Sequence, residues 1–208
     1  MVQNQIKGVL EMSNLVITIA REYGSGGRYI GNLVAKRLNI KCYDNELISI
    51  IAESSGLSPE FVEQNSTQAA PSFLYSLYMD SGVPSVYDQL YIAQSNAIKN
   101  SAKNESCVII GRCADYVLRH HDNLLRVFIH APMSSKVKRV TETYKVDTAN
   151  PEQFIRKKNK KRSSYYEYTT QNKWGYSPNY DLCINSDMGA ENIADMIAQY
   201  VKNSELLK

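Results

Sequence analysis

Four short stretches of this chain carry residue types that can handle phosphate. The first is LVITIAREYGSGGRYIG, Leu15 to Gly31, an apolar run followed by a turn built from Gly24, Ser25, Gly26, Gly27 and Arg28. A glycine-rich turn between a strand and a helix can aim successive backbone N–H groups at phosphate oxygens, and the helix N-terminus adds partial positive charge. Glycine is needed because a Cβ would block the approach. The second stretch is CVIIGRCAD, where Arg112 follows an apolar run and Asp115 comes three residues later. An arginine so placed suits bidentate phosphate contacts, and the alternative is a surface ion pair. The third is Tyr43-Asp44, at the end of the short stretch Ile40 to Tyr43. Asp44 can hydrogen-bond a ribose or base, or simply cap the helix that begins at Asn45. The fourth is RKKNKKR, Arg156 to Arg162, with six cations in seven residues. In phosphoryl transfer almost all catalysis is positioning and charge stabilisation, which a basic lid can supply. Lys161 and Arg162 are the best donors of that run. The alternatives are a solvated basic helix face or, with the nearby tyrosines and Trp174, an RNA-binding patch.

These residues need elements to position them. Leu15 to Ala20 is β-branched and apolar on both faces, which predicts a central parallel strand. Tyr29 to Leu38 has helical spacing. Ile40 to Tyr43 predicts a second strand, and Asn45 to Ser54 a helix. Ser58-Pro59 starts another, with serine at the N-cap and proline at the first helical position. Ser85 to Lys103 reads as a longer helix, Ser106 to Ile110 as a strand, Ala114 to His120 as a short helix and Leu124 to His130 as a strand. Pro132 opens a helix. Asn150-Pro151-Glu152-Gln153 opens the next, with an N-cap, a first-position proline and a capping-box glutamine. Tyr180 to Asn185 is the last strand, and Ala190 to Val201 the last helix. Strands alternating with helices predict an α/β fold with a parallel sheet covered on both faces. Ligands of such sheets sit at the carboxyl ends of the strands, so the chemistry is expected just after Ala20, Tyr43, Ile110 and His130.

The bulk properties bound the rest. The 208 residues, 43% hydrophobic and 22% charged, suit one globular domain with a sizeable core. A net charge of +3 does not argue for nucleic acid. Cys42, Cys107, Cys113 and Cys183 have no CxxC spacing and read as reduced thiols. His120, His121 and His130 lack metal-ligand companions. Phe73, Tyr75, Tyr78, Tyr87 and Tyr91 form an aromatic group that either stacks a base or serves the core or a subunit contact. No secretory signal is evident, and no apolar run approaches the roughly 20 residues of a membrane span. The expected compartment is the cytoplasm. Residues 1–14 read as an N-terminal extension, with Met12 a second candidate start. Residues 15–208 read as one domain with a lid at about 147–176.

In their order and spacing, ITIAREYGSGGRYIG, CYDNELI, CVIIGRCADYVL, LLRVFIHAP and YDLCINS resemble the cytidylate kinase-like family, a branch of the P-loop nucleoside monophosphate kinases. The resemblance runs from Leu15 to near the C-terminus. It implies a three-layer P-loop fold with a central parallel sheet of about five strands and a helical lid. It also implies ATP and Mg²⁺ as cofactors and a nucleotide acceptor, CMP or dCMP first. Arg21 to Arg28 would then hold the donor phosphates, and Tyr43, Asp44, Arg112 and Asp115 the acceptor. Arg28, Lys161 and Arg162 would stabilise the moving phosphoryl group. No metal ligand is assigned, no membrane partner is expected, nucleic acid is not favoured, and a homo-oligomer is left open.

Two departures from the P-loop pattern matter. In GxxxxGK[ST] the lysine reaches the β/γ-phosphates and the hydroxyl binds Mg²⁺. Here Gly27 falls at the lysine position and Arg28 at the hydroxyl position, or, with a shift of one, Arg28 replaces the lysine. Arg21 can also reach in from the front of the loop. The strand-end acid that organises Mg²⁺ in many P-loop proteins is missing too, since Ile110 runs into Gly111-Arg112. These departures favour an alternative, a nucleotide sensor that keeps the phosphate cradle without turnover. A kinase of another phosphorylated or hydroxyl acceptor is a further alternative.

Overall fold

The structure is a computed structural model that describes residues 14–65 and 85–204. Residues 1–13 of the expected extension, and Phe73, Tyr75 and Tyr78 of the aromatic group, lie outside the described residues.

Five parallel strands form one sheet: β1 (Val16–Arg21), β2 (Lys41–Tyr43), β3 (Cys107–Ile110), β4 (Leu124–His130) and β5 (Leu182–Asn185). Their spatial order is β2-β3-β1-β4-β5. The helices are α1 (Gly27–Leu38), α2 (Glu46–Ser55), α3 (Pro59–Asn65), α4 (Val86–Asn104), α5 (Ala114–Val117), α6 (Met133–Lys138), α7 (Pro151–Thr170) and α8 (Ala190–Asn203).

Side chains alternate across a strand, so each central strand feeds two cores. Ile17 and Ile19 of β1 join Val108 and Ile110 of β3 and Ile129 of β4, under Ile30 and Val34 of α1 and Ile193 and Ile197 of α8. Val16 of β1 and Cys107 and Ile109 of β3 face the other way. There they meet Leu47 and Ile51 of α2 and Leu90 and Ile98 of α4. Burying such a side chain is worth roughly 1.5–3 kcal/mol, so two apolar faces per strand outweigh the weak β-propensity of any one position. Helices cover both faces, as the three-layer fold requires.

The ends of elements differ modestly from expectation. The helix expected to reach His120 stops at Val117, and the chain continues as i→i+3 turns, with Arg119 N bonded to Tyr116 O and His121 N to Leu118 O. The strand expected from Tyr180 begins at Leu182, because Ser177–Asn179 form a short 3₁₀ turn just before it. After α6 the chain widens into a π-helical turn, Arg139–Thr143, which sequence periodicity does not register. Asn150 caps α7 as expected, accepting from Gln153 N at 3.0 Å. All four cysteines are free thiols. Among the described residues no helix is long and apolar enough to cross a membrane.

Because β1 has β3 on one side and β4 on the other, the chain departs in opposite directions on either side of its carboxyl end. Such switch points open a crevice. Arg21 ends β1 at that point, and Gly111-Arg112 leaves β3 beside it.

Candidate functional site

The glycine turn folds with its carbonyls tied down. Gly24 and Gly26 have φ of 81° and 79°, the left-handed region that glycine enters without steric cost. Ser25 is fully buried; its hydroxyl donates to Glu22 O at 2.9 Å and accepts from Gly27 N. Arg139 Nη1 donates to Gly24 O at 2.5 Å, so the π-helical turn braces the loop from below. The amides of Gly24, Gly26 and Arg28 meet no acceptor among the described residues. Amides left over in an alternating backbone of this kind make an anion-binding concavity. Gly24, Gly26, Gly27 and Arg28 line the cleft above it. Ser25, expected among the phosphate binders, turns its side chain inward instead, because its hydroxyl satisfies the turn.

The position of the missing lysine has a steric explanation. A Cβ on Gly27 would lie 2.6 Å from Arg21 Cβ and 3.2 Å from Ile129 Cβ. Only one of positions 21 and 27 can carry a side chain. In GxxxxGK the first position is glycine and the seventh lysine; here the first is Arg21 and the seventh Gly27. The charged residue and the glycine have exchanged places. The Arg21 guanidinium then crosses Gly111, where a Cβ would sit 1.7 Å from Nη1. Gly111 therefore seats Arg21, in addition to turning the chain with φ of 70°. Burial first, and then the Arg162 charge, push the Arg21 guanidinium down to about 9, which leaves it charged at neutral pH.

A prediction follows for Gly111. Gly111→Ala displaces the Arg21 guanidinium and strains a left-handed position, costing about 1 kcal/mol of stability. Its larger effect is on anions: tripolyphosphate affinity measured by calorimetry falls at least about tenfold. Unchanged affinity would remove Arg21 from the cleft's function.

The cleft has a volume of about 760 Å³. Arg21, Arg28, Arg112, Lys158 and Arg162 line it from five separate points of the chain. Arg28 forms an ion pair with Asp44, joining a residue assigned to the donor side with one assigned to the acceptor side. Arg112 enters with φ of 58°, and its carbonyl accepts from Gln94 Nε2 at 3.2 Å. Burial lowers the pKa of both Arg112 and Arg162. Asp44, Asn45, Ile48 and Glu63 line one end; Tyr23, Tyr144, Val146 and Lys158 line another part of the wall.

Three expected site residues sit differently. Tyr43 does not line the cleft. It faces the core with Leu47 and Ile51, and its hydroxyl donates to Glu105 Oε1 at 2.7 Å. The period-two alternation of β2 sends Tyr43 inward and leaves the turn at Asp44 to face the cleft. Lys161 is exposed and does not line the cleft either, whereas Lys158 and Arg162, one turn apart on α7, both do. A step of one residue turns a helical side chain by about 100°, which carries Lys161 off that face. Asp115 reaches the cleft but is buried, accepts from Tyr166 Oη at 2.7 Å, and has its pKa raised by burial. It ties α5 to α7.

The segment expected as a lid is already seated. Tyr165, Tyr166 and Thr170 of α7 are buried, and Gln94 Nε2 donates to Tyr165 Oη at 2.9 Å. Nearer the loop, Tyr23 N donates to Asn159 Oδ1 at 2.6 Å and Arg162 Nη1 donates to Arg21 O at 3.0 Å. The Tyr23 ring meets Phe154 and Tyr144 edge-on, with the cations of Lys158 and Arg162 over it. Trp174 packs edge-on against Phe128 and lines the cleft wall. Tyr87 and Tyr91 do not line it. Lys158 and Asn159 lie in the basic run and Tyr23 in the loop that the sequence marks, but sequence reasoning singles out none of the three within those stretches. Spacing of i, i+4 back from Arg162 would have selected Lys158; nothing local marked Tyr23 or Asn159.

A model of the cytidylate kinase-like family matches residues 16–188. A solved structure of an uncharacterized protein from Eubacterium ventriosum ATCC 27560 is 28% identical, with a TM-score of 0.70, covering 92% of this chain and 100% of that one. The shikimate kinase of Acinetobacter baumannii, in complex with shikimate, is 15% identical with a TM-score of 0.53, covering 94% and 97%. The shikimate kinase of Bacteroides thetaiotaomicron is 16% identical with a TM-score of 0.54, covering 90% and 98%. The two shikimate kinases share the fold. No curated protein sequence matches the chain.

Proposed function

The chain belongs to the cytidylate kinase-like family, and from that premise we propose that it is an ATP-dependent phosphotransferase whose acceptor is a nucleoside monophosphate, CMP or dCMP first. What carries this reading is the convergence, on one cleft, of the loop amides of Gly24, Gly26 and Arg28 with the guanidinium groups of Arg21, Arg112 and Arg162. The loop and Arg21 hold the donor phosphates. Arg112 and the wall at Asp44 hold the acceptor. An acceptor phosphate oxygen bonds to the γ-phosphorus, the bond from that phosphorus to the β-phosphate oxygen breaks, and ADP leaves. No side chain need act as a base, because the acceptor oxygen is already a nucleophile. Arg162 and Arg21 stabilise the charge spread over the transferring group, which is the main catalytic demand of the reaction. Seating of α7 excludes water. The lid is the segment at about 147–176, and the compartment is the cytoplasm.

The residues present do not fit a protein-held Mg²⁺. Such an ion usually takes one or two carboxylates together with substrate phosphates. The Ser25 hydroxyl is turned inward. Glu22 is occupied by Lys136 Nζ at 2.8 Å and by Ala131 N. Asp44 is held by Arg28 and Asp115 by Tyr166. Among the described residues no three His, Cys, Asp or Glu side chains gather as a metal site.

A second reading has its own observation. Asp44 Oδ2 is buried, and Arg28 meets it without hydrogen-bond geometry. That carboxylate could serve as base for a small hydroxyl acceptor, the class to which shikimate belongs in its own kinase. A coupled ADP-release assay against nucleoside monophosphates and small hydroxylated metabolites separates the two. The expected result is the highest kcat/KM with CMP or dCMP. No ADP release with any monophosphate, at protein concentrations where ATP demonstrably binds, would end the first reading.

A further inference from the structure

We propose that the cleft binds the phosphate chain of a nucleoside triphosphate as the metal-free anion, with arginines taking the place of both the loop lysine and Mg²⁺. This rests on the reading of the cleft as a triphosphate site and goes beyond it. Four guanidinium groups, those of Arg21, Arg28, Arg112 and Arg162, line one cavity. They do not neutralise one another; the charges of Arg162, Arg112 and Arg28 press on Arg21, and Asp44, the one carboxylate that acts on it, opposes them with less than the effect of Arg162 alone. Neither Arg21 nor Arg162 has a carboxylate within ion-pair distance among the described residues. The Arg21 guanidinium donates no hydrogen bond to any described residue. Buried cations in excess of their counter-charge are costly, and they persist where an anion completes them.

Of the four carboxylates that line the cleft, exposed Glu63 acts on Arg112 and not on Arg21 at the loop, and the other three are committed elsewhere. Asp44 faces Arg28, Glu22 faces Lys136, and Asp115 accepts from Tyr166. The position that would offer a metal-binding hydroxyl, next after the lysine position, is Arg28. A metal ion brought in on the phosphates would sit among guanidinium groups and be repelled by them. It would also remove two of the negative charges that the arginines bind. Arginine forks match phosphate oxygens bidentately, so the chain does not need a metal to bridge it.

The test uses the full chain and calorimetric titration with ATP, once in EDTA and once in excess Mg²⁺, with inorganic tripolyphosphate as a second probe. The expected result is affinity about tenfold tighter in EDTA, with the gap narrowing as salt is raised. Arg21→Met keeps the bulk of the side chain, removes its charge, and is expected to abolish the EDTA advantage. If circular dichroism shows that variant unfolded, Arg162→Met carries the same expectation. Equal affinity in both buffers, or tighter binding with Mg²⁺, overturns the proposal and leaves the phosphotransferase reading in place. Absence of ATP and tripolyphosphate binding in both buffers overturns the two together. An EDTA advantage that survives in the folded methionine variant also overturns it, since the arginines would not be its source.

Discussion

Arg162→Ala is expected to lower turnover by about 10³-fold, the loss typical of a cationic donor in phosphoryl transfer. Lys161→Ala is expected to leave turnover within about twofold, as an exposed surface substitution does. The two residues are neighbours in a run of cations, yet α7 separates them. Arg162 lines the cleft and holds Arg21 O at 3.0 Å, whereas Lys161 faces solvent. The loss at Arg162 should fall mainly on kcat, because an interaction made chiefly with the transferring group lowers kcat and kcat/KM together. Steady-state kinetics on the two single variants decides it. Equal losses would mean that the run acts as a diffuse cationic surface. In that case the salt dependence of RNA binding becomes the measurement to make, with each lost phosphate contact lowering the slope by about one.

Restoring the lysine of the common loop pattern is expected to harm this protein. Gly27→Lys places a Cβ 2.6 Å from Arg21 Cβ, at the backbone end of that side chain, where rotation cannot relieve the contact. Overpacking of this kind costs about 1–3 kcal/mol, or a fall in Tm of roughly 3–10 °C for a chain of this size. ATP affinity should fall with it, since the loop must move. The paired change Arg21→Gly with Gly27→Lys removes the collision and returns both positions to the common arrangement. It should recover most of the lost stability and phosphate binding, an interaction energy of the size that touching residues show. Scanning calorimetry and ATP titration on the two singles and the double complete the cycle. A Gly27→Lys variant as stable as the parent and binding ATP more tightly would show that the two positions are independent.

Sequence determined the layered architecture, because hydrophobic periodicity is a local property. The apolar runs at Val16–Ala20 and Cys107–Ile110 read as strands buried on both faces, Leu124–Ile129 as a third interrupted by Arg126, and the parallel sheet follows from the helices between them. The glycine turn was legible for the same reason: strand, glycines and helix are contiguous, and the geometry of Gly24 and Gly26 is written in their lack of a side chain. The tertiary structure alone decided which charges share a site. Helical phase chose Lys158 over Lys161, and strand alternation took Tyr43 into the core. The contact between Arg21 and Gly111 spans ninety residues of chain, and the bond from Tyr23 N to Asn159 spans 136. The departure from the loop pattern looked like a missing charge because a motif records only which residue stands at each position. In three dimensions Arg21 and Gly27 contend for one space, so moving the side chain from one to the other keeps a cation in the cleft.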